Sequence, residues 1–214
     1  MTTPQTRLWA LPHAKRNELL DPAEVEFIAH GLEGASLNRI LKNAGMSKGQ
    51  AYHYVSSKAD LFLAVCTRKF SPLLNDADTR LETPFTAIPF WQHIEKVCFT
   101  LAAQIVNDTE FHGLARAVYA SSAAEDCLAP LIKQLNTLLD RLIIEGQRQG
   151  VIRDDLPDDL IRDTLKGAAR SIDKWFAHSA ETLSPTDFDS ALTGAGEMLR
   201  NLVAPPHQKD TDHA

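Results

Sequence analysis

Residues 35–61 read ASLNRILKNAGMSKGQAYHYVSSKADL, and this stretch decides the fold. Ser36 is placed to cap a helix whose apolar stripe is Leu37, Ile40, Leu41 and Ala44. Gly45 ends that helix, since the left-handed residue after a helix is usually glycine. Ser47 caps a second short helix, from Lys48 to about Val55, and Ser56 or Ser57 caps a third that begins at Lys58. Two short helices about a three-residue turn form a helix-turn-helix. The first helix is apolar where it crosses the second. The second keeps an outer face of Lys48, Gly49, Gln50 and His53, slim or polar enough for a major groove, while Ala51 and Tyr54 or Val55 pack inward. Tyr52 and Tyr54 are phenols able to donate to phosphate oxygens. Lys58 has a similar role open to it, its charge added to the N–H groups of a helix terminus.

The charge pattern agrees. No acidic residue lies between Glu33 and Asp60, so Arg39, Lys42, Lys48 and Lys58 face no counter-charge within the window. The chain of 214 residues carries net −6, yet residues 1–70 hold nine bases against six acids, net +3, leaving −9 for the remainder. A locally basic unit in an acidic chain points to a polyanion partner for the first part only. Lys42 reads as a solvated charge. Arg7, Lys15 and Arg16 leave two readings open, an arm seeking a groove or a loose terminus.

Working outward, apolar residues recur at spacings of three and four, and period-two alternation is absent. Asp21-Pro22 reads as the start of a first helix, with Val25, Phe27 and Ile28 inward and a stop at Gly31. The helix from Lys58 runs to about Leu74, and Asn75–Ile88 reads as a loop. Further helices are expected from Pro89, over about Asp108–Ser122, then a long one ending near Gly150, then from Pro157 and from Pro185 to about Leu202. The expectation is an all-α chain of roughly nine helices: a flexible arm over 1–20, a three-helix head over 21–66 with its motif at about 36–55, a helical body over 67–203 joined through the long fourth helix, and a disordered tail over 204–214.

The string SLNRILKNAGMSKGQAYHYVSSKADLFLAV, residues 36–65, resembles the DNA-binding head of the TetR family, the tetracycline-repressor-like bacterial regulators. The likeness lies in AGMSKG, in Tyr52-His53-Tyr54, and in Ser57-Lys58 followed by Leu61. It covers about residues 22–66 without a gap. It implies a homodimer on a palindromic operator in double-stranded DNA, with a ligand-binding body that releases DNA when a small-molecule effector is bound. By motif position it implies that Ser36, Tyr52 and Lys58 touch phosphates and that Lys48, Gln50 and His53 face bases. Helix one reads shorter than is usual for the family. Gln50 stands where a smaller residue is common, so base preference is not carried over.

One recognition helix buries too little surface for specific affinity, so two heads must act together. Small residues on the last two helices are the dimer candidates: Gly167, Ala168 and Ser171, then Ala191, Gly194, Ala195 and Gly196, with Met198 beside them. A helical glycine costs about 1 kcal/mol relative to alanine, and close approach across a two-fold axis would offset that; close packing within one subunit is the other reading. For a largely apolar effector the candidates are Trp91, Phe111, His112, Tyr119, Trp175 and Phe176, large residues with a few polar tips.

Enzymatic motifs are missing: no nucleophile elbow, no HExxH, no phosphate-binding glycine loop and no paired cysteine motif. His93, His112 and His178 lack metal-ligand spacing, and no cofactor is expected. Cys66, Cys98 and Cys127 are odd in number and unclustered, which fits a reducing cytoplasm. No signal-peptide pattern and no apolar run of about 18 residues marks a membrane protein. The function expected is a cytoplasmic transcriptional repressor. The alternatives are a ligand-independent regulator or activator of the same fold, then an all-α adaptor or enzyme.

Overall fold

The computed structural model describes residues 3–81, 89–179 and 182–206. Among these it has eleven helices and no strand: α1 (Pro4–Ala10), α2 (His13–Gly34), α3 (Leu37–Asn43), α4 (Lys48–Tyr52), α5 (Lys58–Leu81), α6 (Phe90–Ile105), α7 (Thr109–Tyr119), α8 (Ser122–Cys127), α9 (Ala129–Arg148), α10 (Asp158–Ser179) and α11 (Pro185–Leu202). The all-α expectation holds. The chain divides into two compact units, one of the residues up to Asp76 with Ile105–Lys133, the other of Ala77–Gln104 with the residues from Gln134.

The first unit is built on one apolar core. Leu8 of α1, Leu19, Leu20, Ala23 and Phe27 of α2, Ile40 and Leu41 of α3, Ala51 of α4 and Leu61, Phe62 and Val65 of α5 are buried together. Phe27 meets Phe62 edge to face at 5.0 Å, a favoured arrangement for two rings. α7 and α8 join the same core through Leu114, Ala117, Val118 and Ala124. α7 lies close on α2 because Gly113 carries no side chain; a Cβ there would stand 2.8 Å from Ile28 Cγ2.

Charged groups bind these helices further. Arg68 of α5 pairs with Glu24 and Asp21 of α2 and donates to Asn17 Oδ1 at 3.0 Å. Glu24 is buried, so this pairing compensates a carboxylate that would otherwise be costly. Lys69 reaches Asp108 at 2.9 Å and Glu110 at 3.4 Å. Burial lowers the Lys69 pKa, but the hydrogen bond and charge of Asp108, with Glu24 and Glu110, raise it above its ordinary value.

The second unit holds two smaller apolar clusters. Phe90, Ile143, Ile152, Ile161 and Val203 form one, and Ala77, Val97 and Leu138 the other. α10 and α11 pack through Phe176 against Phe188 at 5.2 Å.

Several expectations need correction. Residues 4–10 and 13–20 are helical rather than a loose arm, because Leu8, Leu19 and Leu20 are buried in the core. Asp21-Pro22 is not a helix start: α2 begins at His13, and Pro22 lies inside it. A proline there forfeits a backbone bond, and the burial of Leu19, Leu20, Ala23 and Phe27 on that helix outweighs the loss. Asp21 is taken up by Arg68 instead of capping. Helical geometry does break at Gly31, with φ +64°. Val25 is not inward but 69% exposed. α5 runs past Leu74 to Leu81, so residues 75–81 are helix; the rest of the expected loop, 82–88, lies outside the described residues. So does most of the expected tail, from 207 onward. The first compact unit also takes in α7 and α8, which share the head's core.

Candidate nucleic-acid interface

The turn of the motif is closed by backbone bonds that depend on one glycine. Gly45, at φ +63°, follows the last residue of α3's cap. Its N–H donates to Lys42 O at 3.2 Å, and the Met46 N–H donates to Leu41 O at 3.0 Å. These two bonds are the Schellman pair, which satisfies the carbonyls that a helix end leaves bare. The chain then enters α4 through a capping box. Ser47 Oγ accepts from the Gln50 N–H, and Gln50 Oε1 accepts from the Ser47 N–H at 2.9 Å.

α4 is a short helix with one buried side. Ala51 and, just beyond it, Val55 are buried. Lys48, Gly49, Gln50, Tyr52 and His53 are exposed, with Tyr52 at 49%. Tyr54 is half-buried and meets the His53 ring edge to face at 5.0 Å. The residues expected to face bases are therefore brought together on the outward side of one helix. Gln50 also has a structural task, since its carbonyl oxygen closes the cap.

The residues expected at phosphates are set around this helix. Ser36 caps α3 and accepts from the Arg39 N–H at 3.4 Å, while its own N–H donates to Glu26 Oε1 at 2.7 Å. Lys58 is half-buried, and its Nζ donates to Glu33 O and Ala35 O at 2.9 Å each. It thus ties the beginning of α5 to the end of α2, where helix carbonyls favour a cation. Ser57 caps α5 by accepting from the Asp60 N–H at 3.0 Å.

Sequence reasoning missed two features. Arg39 does have a counter-charge, from outside the acid-free window: Glu26 of α2 pairs with it at 2.6 Å and accepts from its Nε at 3.0 Å. The Arg39 hydrogen bond, aided by the Ser36 N–H, holds the Glu26 carboxyl at about 2 against the opposing effect of burial. The second is Arg7, whose Nε donates to the His53 carbonyl at 2.7 Å. No local signal marks either one, since the partners lie 13 and 46 residues apart.

The effector candidates fall in both units. Phe111, His112 and Tyr119 belong to the first, where the Phe111 ring meets Phe70 at 5.1 Å and His112 at 5.9 Å. His112 is buried, its Nε2 3.4 Å from Val106 O. Trp91, Trp175 and Phe176 belong to the second, Trp91 against Phe90 and Phe176 against Phe188. Trp175 is 47% exposed. Among the dimer candidates, Gly167, Ser171 and Met198 are exposed, and Ala191, Gly194 and Ala195 are intermediate.

A glycine-closed turn joining two capped helices, the second with a buried side and a polar outward side, defines a helix-turn-helix protein. Comparison with known proteins shows what this head is similar to. Residues 19–65 match the family of bacterial regulatory proteins, tetR family. The HTH-type transcriptional repressor AcnR of Corynebacterium diphtheriae is 41% identical over 51 residues, 24% of this chain and 27% of that protein. The chain thus spans about a quarter of that relative's length. The HTH-type transcriptional regulator BetI of Cronobacter sakazakii is 23% identical over 198 residues, 92% of this chain and 95% of that one. The crystal structure of the transcriptional regulator FadR from Bacillus subtilis in complex with stearoyl-CoA superposes with a TM-score of 0.69 at 16% identity, covering 87% of this chain and 98% of that one. The match to the tetR family thus lies in residues 19–65, and the likeness to the solved structure shows the same fold over most of the chain. Among the described residues no helix is long and apolar enough to cross a membrane.

Proposed function

We propose that the protein is a homodimeric transcriptional repressor that reads a palindromic operator with α4 and leaves it when a small, largely apolar ligand binds. The observation that carries the reading is the outward side of α4, where Lys48, Gln50, Tyr52 and His53 stand clear of a helix otherwise fixed by its cap, its turn and its buried side. In this reading Lys48, Gln50 and His53 meet base edges, while Ser36, Tyr52 and the remaining donor of Lys58 meet phosphates. Two heads would enter successive major grooves, about 34 Å apart, on one side of the duplex.

Dimerisation is assigned to the outward sides of α10 and α11. Leu160, Met198 and Leu202 are 51%, 67% and 38% exposed there, and they lie at helical spacing from Gly167, Ser171, Ala191 and Gly194. A side chain built at Gly167 or Gly194 would meet nothing within 4 Å, so neither glycine is needed for packing inside the protomer. That supports an intersubunit reason for both.

That the body binds a ligand at all is supported by the stearoyl-CoA that FadR holds on the same fold. Trp91, Phe111, His112, Tyr119, Trp175 and Phe176 are each proposed as ligand contacts within their own unit. The coupling element is assigned to α5, a single helix with residues in each unit. A ligand can shift the DNA-binding equilibrium only by its differential affinity for the free and DNA-bound forms.

The test is selection of duplexes from a random double-stranded pool by full-length protein at near-physiological salt. A palindromic consensus is expected. Recovery of no motif, with weak binding abolished by modest salt, would reduce the head to a basic surface and reopen the adaptor and enzyme readings.

A further inference from the structure

We infer that Arg7 is a positioning residue for DNA reading, acting through the end of α4 from the N-terminal helix. The inference rests on the proposal that α4 reads DNA.

α4 is only five residues long. A helix of that length does not persist on its own, because too few backbone bonds offset the order required. Its start is closed by the Ser47–Gln50 box and its underside by Ala51 and Val55. Its C-terminal end, where the backbone carbonyls gather negative charge, receives a guanidinium: Arg7 Nε lies 2.7 Å from the His53 carbonyl oxygen.

Arg7 can brace α4 only if α1 is itself fixed. Thr3 caps α1, Pro4 occupies its first turn, and Leu8 is 1% exposed in the core that also holds Ala51 and Val55. The next residue, Trp9, has the Arg16 guanidinium 4.7 Å over its ring, tying α1 to α2. Arg7 therefore extends from a rigid helix to the residue whose side chain is a candidate base reader. The tilt of His53, and with it the register of Gln50 and Tyr52, depends on that bond.

A brace and a phosphate contact make opposite predictions. A phosphate contact strengthens binding to every sequence alike and adds about one to the salt slope. A brace leaves the slope alone and acts on the ratio of specific to nonspecific affinity.

Full-length wild type, Arg7→Ala and Arg7→Lys would be compared in two ways. In hydrogen exchange without DNA, Arg7→Ala should speed exchange of the amides of residues 51–55 by about tenfold, the effect of losing one charge-assisted bond. The amides of Ile40 and Leu41 should not change, and Arg7→Lys should recover part of the protection. In binding, Arg7→Ala should lose about tenfold on the selected operator and less than about twofold on a scrambled duplex, with unchanged salt slope. Unchanged exchange at 51–55 overturns the brace. So does an equal loss on both duplexes with the slope reduced by about one, which would make Arg7 a phosphate contact. If wild type itself fails to discriminate the two duplexes, the DNA-reading proposal fails, and the exchange result decides the brace by itself.

Discussion

Adding one methyl group to Gly167 or Gly194 tests whether a second copy covers α10 and α11, because the added carbon is harmless within the protomer and clashes only across an interface. Within the protomer a Cβ at either position meets nothing within 4 Å. Gly→Ala there should strengthen its helix by about 1 kcal/mol, the ordinary difference between the two residues in a helix. If a second copy packs against this face, the same methyl enters a close contact. Overpacking a fitted contact costs about 1–3 kcal/mol, and a two-fold interface contains each substitution twice. The low end, about 2 kcal/mol per dimer, weakens the dimer about thirtyfold. The gain in helix stability does not offset this, since monomer and dimer share it.

Sedimentation equilibrium over a dilution series reads the dissociation constant of full-length protein. Gly49→Ala is the control, an open position in the head with nothing within 4 Å of the added carbon. Gly167→Ala and Gly194→Ala should raise the constant at least about tenfold and Gly49→Ala should leave it unchanged. An unchanged or tighter dimer in both α10 and α11 variants would remove the glycines from the interface and refute the reasoning.

The head offers further tests. Gly45→Ala should lower stability by about 1 kcal/mol: the left-handed conformation costs about 1–2 kcal/mol, and part is regained from a stiffer unfolded chain; Gly49→Ala should raise it by about 0.5–1 kcal/mol, and urea midpoints read both. Gln50→Glu keeps a capping residue but puts an anion into the groove, so it should preserve the unfolding midpoint and change base preference, whereas Gln50→Ala should alter both; binding to single-base operator variants decides. Lys58→Met should lower the thermal midpoint, because it strips two carbonyls at the end of α2 of their donor; an unchanged midpoint would deny it that structural task. The Glu26 carboxyl is held at about 2 in the folded protein, below its ordinary 4.5. The stabilisation from that depressed value is therefore complete above about 4.5 and lost as pH falls toward 2; the melting difference between wild type and Glu26→Gln should shrink over that interval, and a constant difference would count against the pairing.

The motif was legible because it is local. Ser36, Gly45 and Ser47 act on backbone groups within five residues of themselves, so a cap or a turn is written where it works. Asp21-Pro22 carried the same local signature as a true helix start and misled. What decides there is the burial of Leu8, Leu19 and Leu20 against α3–α5, which no local pattern expresses. The attachment of α7 to the head was hidden for a similar reason, since it depends on Gly113 meeting Ile28 from 85 positions away in the chain. Of the site, the outward set on α4 was readable from helical spacing. The cap bond of Gln50, the carbonyl bonds of Lys58 and the bond from Arg7 to His53 were not, because each depends on which partner the fold brings within reach.

Charge shows the same division between what composition gives and what folding decides. The excess of bases in residues 1–70 suggested a polyanion partner, but most of those bases are engaged. Arg39 is held by Glu26, Arg68 by Asp21 and Glu24, Lys69 by Asp108 and Glu110, and Lys15 by Glu18. Lys58 is turned to backbone carbonyls. Lys42 and Lys48, which flank the Gly45 turn, have no acidic partner among the described residues and are exposed. Uncompensated charge thus lies at the turn and at the start of α4, where Lys48 is itself one of the proposed base readers. Each neutralised phosphate contributes about 0.9 to the salt slope, so two uncompensated lysines per head would supply only a modest share of the affinity. In the proposed reading, the base contacts of Gln50 and His53 and the phosphate contacts of Ser36, Tyr52 and Lys58, made twice by paired heads, carry the rest. If α4 reads DNA as proposed, the tilt of a five-residue helix, and the groups bonded to it at both ends, set how well those contacts are made.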